Sequence, residues 1–309
     1  MSDRADRSEG HERMANGRQG KTAALQLSLN QATIKYADLA TALRVTREAG
    51  IAGIGLWREP VAEVGLATAT TMLADSGLRV SSLCRGGFFT TADDGLRRAA
   101  LDENRRAIEE TAALAAAGAA GSAPVLVLVA GGLPERDRDL LAARSRAQDA
   151  VGALVDDATA AGVVLAIEPM HPIYAADRGV ISTLEQALDI AEPFPAASVG
   201  VVIDTFHVWW DPNLHSQISR AGNQGRIATY QVCDWITPLP PDALLARGMM
   251  GDGHVDFAAV TRVVTSAGYA GDIEVEIFNQ AIWDADPAEV AERTAKSFAA
   301  HVAPWSKLV

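Results

Sequence analysis

Hydrophobic and polar positions follow a repeating pattern along the chain. From Ala23 onward, short apolar runs rich in aliphatic and β-branched residues alternate with longer alanine-rich stretches that carry apolar residues at helical spacing. The apolar runs lie at 25–30, 51–57, 79–84, 124–131, 163–169, 199–207, 227–235 and 272–278. The stretches at 96–117 and 140–161 are typical of the helices between them. The pattern therefore predicts eight strands that alternate with eight helices.

This alternation predicts an α/β fold, a single (β/α)8 TIM barrel. The runs are apolar almost throughout, which is typical of parallel strands that are buried on both faces. The alternative is an open doubly wound sheet, which usually has a glycine-rich nucleotide-binding turn after its first strand. Asn30, Gln31 and Ala32 follow the first strand here. We expect the barrel to span residues 23–309 and the polar residues 1–22 to form a flexible N-terminal tail.

Composition narrows the classes of partner and the cellular location. The chain has 309 residues, 49% of them hydrophobic, and a formal net charge of −12. An acidic surface repels phosphate backbones, so we expect no nucleic acid partner. No apolar run approaches the ~20 residues of a membrane span, and the polar start has no apolar signal core. With two cysteines, Cys84 and Cys233, the chain suits a reducing cytoplasm. A homo-oligomer and a small partner subunit both stay open.

Polar residues stand at the predicted carboxyl ends of consecutive strands, where TIM barrels build their active sites. Glu168 ends the fifth strand, Asp204 ends the sixth, Gln231 lies in the seventh and Glu276 lies in the eighth. Side chains alternate between the two faces of a strand, so Glu274 shares the face of Glu276. We expect the first four groups to converge inside the barrel, and Glu274 to have a structural role one layer deeper.

Three carboxylates in one dry pocket repel each other and raise each other's pKa values. A divalent cation removes that repulsion, and oxygen ligands suit Mn²⁺ or Mg²⁺. We therefore predict one divalent metal ion, Mn²⁺ first with Mg²⁺ or Co²⁺ as alternatives, bound by Glu168, Asp204, Gln231 and Glu276. A structural ion pair is the alternative for each residue taken alone, but four such residues on consecutive strands favour a metal.

Four short motifs together carry a family resemblance. IEP in the fifth strand, IDTFH in the sixth, TYQVCDW in the seventh and VEIF in the eighth resemble the sugar phosphate isomerase/epimerase family. These are xylose isomerase-like barrels that include ketose epimerases and inositol-catabolism enzymes, and the resemblance covers about residues 25 to 300. It implies the same four metal-binding positions. The chain departs from the family at Gln231, where histidine is usual, and this change should weaken a preference for zinc.

The resemblance also implies residues that bind the substrate. His207, in the IDTFH motif, is expected to hold substrate hydroxyl groups, although a histidine bonded to the backbone is the structural alternative. Arg247 begins the segment 247–257 and resembles an arginine that closes over the substrate. The glycines of this segment suggest a flexible lid. An exposed loop arginine is the alternative.

Further candidates lie at or just beyond the predicted strand ends. Trp57 and Trp209 offer aromatic faces that suit sugar C–H surfaces or an aglycone ring, with core packing as the alternative, and Arg85 ends the third strand. His171 lies three residues beyond Glu168, in the loop over the site. Its near-neutral pKa makes it a candidate general base, and a loop histidine without a role is the alternative.

These residues support metal-dependent isomerisation or epimerisation of a sugar, keto-sugar or cyclitol. The metal would bind adjacent substrate oxygens and polarise a carbonyl. Glu168 and Glu276 would remove and return a proton through an enediolate, from opposite sides of the bound carbons.

Two other functions stay open. Some relatives resemble the catalytic subunit of C-glycoside deglycosidases, lyase-type enzymes that eliminate an aglycone from a 3-keto sugar. His171 would then be the base, and a small partner subunit is implied. The third reading is a sugar-binding barrel without activity. DNA repair is disfavoured, because endonuclease IV has this fold with a histidine-rich trinuclear zinc site, and the six histidines here supply none at the seventh-strand position.

Overall fold

The predicted eight strands form a closed parallel barrel in the computed structural model, which describes residues 26–306. Seven barrel strands come in sequence, and the eighth, β10, pairs with both β1 and β7 to close the ring. The barrel strands are β1 (Leu27–Asn30), β2 (Gly53–Trp57), β3 (Arg79–Gly87), β4 (Val125–Val129), β5 (Val164–Glu168), β6 (Val199–Asp204), β7 (Ile227–Val232) and β10 (Ile273–Val275). The predicted (β/α)8 barrel is therefore confirmed. The tail predicted at residues 1–22 lies outside the described residues.

At least one helix follows each barrel strand, and together the helices surround the barrel. They are α1 (Leu39–Glu48), α2 (Arg58–Val64), α3 (Leu66–Ser76), α4 (Asp94–Ala117), α5 (Leu140–Ala161), α6 (Leu184–Ala191), α7 (Thr205–Val208), α8 (Leu214–Asn223), α9 (Phe257–Ser266), α10 (Gln280–Trp283) and α11 (Pro287–His301). Short 3-10 turns lie at Gln31–Ile34, Pro172–Tyr174, Ala243–Ala246 and Ala303–Trp305. None of the helices in residues 26–306 combines the length and apolar character that crossing a membrane needs.

Aspartate side chains fix where several of these helices begin. The side chains of Asp38, Asp93, Asp139, Asp256 and Asp286 accept backbone N–H groups from the first turns of α1, α4, α5, α9 and α11. Each of these bonds satisfies a donor that the helix itself leaves free. The caps therefore set the point at which each loop from the barrel mouth becomes helix.

The barrel interior is apolar on one side and polar on the other. Buried apolar side chains from β3 to β6 form a small cluster of their own, separate from the large core that lies under the helices. Its members are Cys84, Val125, Val127, Ala166 and Val202. Across the interior, Ser28 and Ser81 share a hydrogen bond of 2.7 Å, and Ser81 donates to Glu274. The interiors of such barrels are usually filled with branched apolar residues. The polar half of this interior departs from that packing and therefore indicates a functional site.

The apolar run at 227–235 is not one strand, as its pattern predicted, but two. Strand β7 ends at Val232, and Asp234–Trp235 forms a separate strand, β8, that pairs antiparallel with Arg247–Gly248, strand β9. Between them, the Thr205 side chain binds both backbone groups of Cys233, donating to its C=O at 2.7 Å and accepting its N–H at 3.0 Å. A hydroxyl thus takes the place of a strand partner, and the chain turns across the barrel mouth.

Candidate active site

The four predicted metal ligands lie together at the mouth of the barrel. We call Glu168, Asp204, Gln231 and Glu276 the ligand cluster; all four side chains are buried. Asp204 and Gln231 are register partners on β6 and β7. One carboxylate oxygen each from Glu168 and Asp204 lies within 4.8 Å of the other and of a ring nitrogen of His207. The alternation of side chains along the strands therefore predicted four residues that lie close together in the folded protein.

Arg247 lies inside the ligand cluster rather than at its rim. Its Nη1 donates to Asp204 Oδ2 and to Glu276 Oε2, both at 2.9 Å. The guanidinium carbon lies 4.6 Å from the ring centre of Phe206 and 4.9 Å from that of Phe278. The side chain is only 2% exposed, so the alternative of an exposed loop arginine does not apply. In the structure its guanidinium therefore neutralises charge on two of the predicted ligands, and its role in substrate binding stays a prediction.

Burial raises the pKa values of the three carboxyl groups in the cluster. The pKa of Glu168 lies well above its usual range, because of burial first and then because of the charges on Glu276 and Asp204. Burial also raises the pKa of Asp204, and it raises the pKa of Glu276 to about 8, with Arg247 opposing both shifts. One guanidinium is therefore too little positive charge to keep three buried carboxylates ionised.

Gln231 presents a free carbonyl oxygen because its amide nitrogen is already bound. Its Nε2 donates to Glu274 Oε1 at 2.9 Å, which fixes the orientation of the amide. Its buried Oε1 has no hydrogen-bond partner among residues 26–306. An unpartnered amide oxygen beside three carboxylates is a hard donor set of the kind that divalent cations take. The residues present therefore fit a metal ion.

Glu274 is the hub of a polar layer beneath the ligand cluster. Besides Gln231, it accepts hydrogen bonds from Asn30 Nδ2 at 2.5 Å, Ser81 Oγ at 2.5 Å and Ser82 Oγ at 2.8 Å. Asn30 in turn accepts from Trp57 Nε1 at 2.8 Å through its Oδ1. Four donors make this buried carboxylate a fully bonded structural group, the role that its deeper position predicted. Sequence reasoning missed Asn30, since an asparagine at the last position of a strand is typical of the turn into a loop.

The ring of His207 faces the ligand cluster with its Nε2 atom. Its Nδ1 accepts the backbone N–H of His171 at 3.1 Å, and Nε2 lies 3.8 Å from Glu168 Oε1 and 3.7 Å from Asp204 Oδ2. Burial, with the charge of Arg247, holds the pKa of His207 well below its usual value, so the ring is neutral. A neutral ring that accepts at Nδ1 carries its proton on Nε2. In this tautomer His207 is a hydrogen-bond donor to the site, which suits a substrate oxygen.

His171 lies in an aromatic wall above the site. Its ring stacks on Trp235 with centroids 4.9 Å apart and meets the edges of Trp210 and Tyr174. Burial lowers the pKa of the half-buried His171. Its Nδ1 accepts the backbone N–H of Ile173 at 3.2 Å, so in the neutral ring the Nε2 atom carries the proton.

The other three candidates lie around this centre. Trp209 packs beside the aromatic wall, with its ring centre 5.8 Å from that of Trp235. On the β2–β3 side, the Arg85 guanidinium lies 5.6 Å from the ring centre of Trp57 and 4.9 Å from that of Phe88. Arg85 also lines a cavity of about 380 Å³ outside the ligand cluster. All three residues thus border the mouth without contacting the cluster through a hydrogen bond in the described residues.

Asp234 anchors the glycine-rich segment that follows Arg247. Its carboxylate accepts the backbone N–H groups of Gly251, Gly253 and Val255 at 2.8–2.9 Å. A side chain at Gly253 would meet the Trp235 carbonyl oxygen at 2.1 Å, and one at Gly251 would meet the His301 ring at 2.4 Å. The glycines are therefore needed for close packing, which replaces the expectation of a flexible lid. Asp234 lies 17 residues before Gly251 in the chain, so no local sequence signal indicates this anchor.

Comparisons with known proteins agree with this fold. A family model described as "Xylose isomerase-like TIM barrel" matches residues 43–301. An L-ribulose 3-epimerase of Mesorhizobium japonicum is 27% identical over 262 residues, which are 82% of this chain and 80% of the relative.

Solved structures extend the comparison. Protein SMc04130 from Sinorhizobium meliloti 1021 is 44% identical, with a TM-score of 0.85 over 90% of this chain and 98% of that one. The IOLI protein, whose crystal structure has a binding zinc atom, is 20% identical, with a TM-score of 0.77 over 92% of this chain and 100% of that one. At that identity, the likeness to IOLI shows the fold alone.

Replacing Asp234 by alanine should loosen the segment after Arg247 without unfolding the barrel. Hydrogen bonds to a charged group contribute about 1.5–3 kcal/mol each, but water can replace the carboxylate at the exposed Gly251 and Gly253, so we expect the free energy of unfolding to fall by about 2–4 kcal/mol. The amides of Gly251, Gly253 and Val255 should exchange at least about tenfold faster with deuterium. Asp252→Ala is the matched control, because the exposed Asp252 contacts only Arg293 through its side chain. Equal exchange in the two variants would contradict the anchoring role.

Proposed function

The chain belongs to the xylose isomerase-like TIM-barrel family, and from this premise we propose that it is a divalent-metal-dependent isomerase or epimerase of a sugar, keto-sugar or cyclitol. The observation that carries the proposal is the ligand cluster: three buried carboxylates beside the unpartnered Oε1 of Gln231. The family resemblance of the motifs and the similarity to an L-ribulose 3-epimerase support the substrate class.

Charge balance supports a divalent ion in particular. With all carboxylates ionised, the cluster and Arg247 together carry two negative charges in excess. Buried charges of one sign are costly, and the groups otherwise bind protons instead. A divalent cation brings the sum to zero and lets Glu168, Asp204 and Glu276 ionise near neutral pH. Oxygen donors and the missing strand-seven histidine favour Mn²⁺, with Mg²⁺ or Co²⁺ next.

The reaction that fits these residues is proton transfer at a carbon next to a carbonyl. The bound metal supplies Lewis-acid polarisation of that carbonyl. Glu276 is suited to accept and return the proton, because its buried carboxylate lies in the cluster and would be ionised, and so able to act as a base, with the cation bound. Glu168 is the second such carboxylate in the same cluster. His207 donates from Nε2 and so orients a substrate oxygen. Glu168, at the end of β5, and Glu276, directly after β10, can then serve the two faces of one carbon.

A second candidate function is metal-dependent elimination from a 3-keto-glycoside. The aromatic wall of Trp235, Trp210 and Tyr174 around His171 favours it, since such a wall suits an aromatic aglycone. The proton on His171 disfavours it. As long as Nδ1 accepts from Ile173, Nε2 already holds a proton, and the ring has no free lone pair with which to act as the base. Proton transfer by a glutamate is therefore the preferred mechanism.

Metal-loaded protein should contain about one equivalent of Mn²⁺, and Asp204→Asn should lose most of it. The substitution removes an anionic ligand and leaves the shape of the side chain unchanged. Elemental analysis after removal of free metal measures the ratio. Asp211→Asn is the control, because Asp211 is also buried but its carboxylate caps the backbone at Asn213. Full metal content in Asp204→Asn would remove Asp204 from the ligand set.

Gln231→His should shift metal preference from manganese toward zinc or cobalt, because imidazole is a softer ligand than an amide oxygen. Competition titrations that compare the two dissociation constants measure the shift, which we expect to be about tenfold or more in their ratio. Gln224→His adds a histidine away from the cluster and controls for stray zinc binding. An unchanged ratio would mean that Gln231 does not touch the metal.

Exchange of substrate hydrogen with D₂O should separate the two candidate reactions. With free ketoses, Glu276→Gln should abolish exchange, whereas His171→Ala should cost only positioning, about tenfold. If elimination from 3-keto-C-glycosides is the reaction, His171→Ala should cost about 10²–10⁴-fold, the usual share of a general base. The rates must be compared at equal metal occupancy. Full exchange in both variants would refute the mechanism, and no exchange by loaded wild type with any substrate would favour a sugar-binding barrel.

A further inference from the structure

Arg247 contacts the same oxygens that the proposed metal ion needs. We propose that Arg247 is a built-in competitor of the metal: its guanidinium holds Asp204 and Glu276 in the metal-free protein, and the ion binds only when that guanidinium leaves them. This inference rests on the metal site of the proposed function. It adds a residue outside the ligand set that sets how tightly the site binds its ion.

Shared atoms carry the first step. Nη1 makes its two charged contacts, each of 2.9 Å, to Asp204 Oδ2 and Glu276 Oε2. Metal–oxygen bonds are shorter, about 2.0–2.2 Å for Mg²⁺ or zinc. An ion that uses the lone pairs now directed at Nη1 has to displace it. Guanidinium and ion are therefore alternatives at these two oxygens, although both can remain near the cluster.

The second step is that the Arg247 guanidinium has too few hydrogen-bond acceptors for its N–H groups. Its Nε has no hydrogen-bond partner within the part of the chain that the structure describes. Its Nη2 lies 3.0 Å from His207 Nε2, while Nδ1 of the same ring lies 3.1 Å from the backbone N–H of His171. A neutral imidazole has one acceptor nitrogen, so the ring cannot accept from both donors. A buried donor without an acceptor is costly, so this position of the guanidinium is one that a stronger cation can take over.

The third step concerns which part of Arg247 can move. Its backbone pairs with Trp235 in the β8–β9 hairpin, and its carbonyl accepts from Asn279 Nδ2 at 2.9 Å. Further along the same segment, the Asp234 carboxylate accepts the backbone N–H groups of Gly251 and Gly253. The main chain is therefore fixed on both sides, and the exchange of cations requires rotation of the side chain alone.

Removing the guanidinium should tighten metal binding. We expect Arg247→Met to lower the dissociation constant for Mn²⁺ by about tenfold or more, measured by calorimetry on metal-free protein. The melting temperature of the metal-free variant should fall, since the buried carboxylates lose their only hydrogen-bonded cation in residues 26–306. Saturating Mn²⁺ should raise it by more than it raises that of wild type. Arg247→Lys keeps the charge but loses the planar fork, and its affinity should lie between the two.

Two control variants separate competition from other effects. Arg85→Met removes a charge that acts on Glu168 without bonding to the cluster, so its affinity for Mn²⁺ should change less than about threefold. Arg226→Met removes a buried arginine whose hydrogen bonds in the described part of the chain all go to backbone carbonyls, so it should lower both melting temperatures alike and leave the affinity unchanged.

The outcomes distinguish the inference from the function on which it rests. Unchanged or weaker binding in Arg247→Met, or an equal gain in Arg85→Met, overturns the competition while the metal site stands. If Arg247→Met does not fold, Arg247→Lys with wild-type affinity overturns it as well. Binding by Arg247→Met but not by wild type supports the competition and contradicts a metal-dependent wild-type enzyme. Binding by neither protein overturns both.

Discussion

Repulsion among three carboxylates buried at one end of a barrel is the constraint on which the site depends. Glu168, Asp204 and Glu276 come from three strands, and burial raises the pKa of each. Within residues 26–306, one cation is hydrogen-bonded to these carboxylates, the guanidinium of Arg247, which also contacts two aromatic rings. That single charge is too small to neutralise the cluster. An excess of buried negative charge would destabilise a structural core. In a metal site, the same excess of charge would attract a divalent ion.

The polar half of the barrel interior serves this arrangement from below. Glu274 accepts hydrogen bonds from side chains of β1, β3 and β7. The bond from the Gln231 amide nitrogen fixes the orientation of that amide, so that its oxygen stays unbound beside the cluster. The opposite half is apolar and excludes water from the carboxylates. Low local polarity strengthens each charged interaction in the mouth. Ligands, counter-ion and supporting layer therefore form one electrostatic unit.

The periodic pattern predicts the barrel, since strands buried on both faces and amphipathic helices leave a direct imprint on the sequence. It also predicts that Glu168, Asp204, Gln231 and Glu276 converge, because period-two alternation sets which side chains point inward. The pattern does not predict the break at Cys233, which depends on a hydroxyl group 28 residues away in sequence, at Thr205. Nor does it predict that Arg247 enters the cluster, because a hairpin across the mouth brings it there. Tertiary hydrogen bonds of this kind have no period, so the sequence carries them only as isolated polar residues.

The hydrogen bond between Gln231 and Glu274 makes the residue types at these two positions depend on each other. A lineage that replaced Gln231 with an apolar residue would leave a buried acceptor without its donor, and one that lost Glu274 would leave the Gln231 amide free to turn over. Either change alone therefore carries a penalty. Glu274, one layer below the cluster, thus helps to set which atom of Gln231 the proposed metal ion would meet.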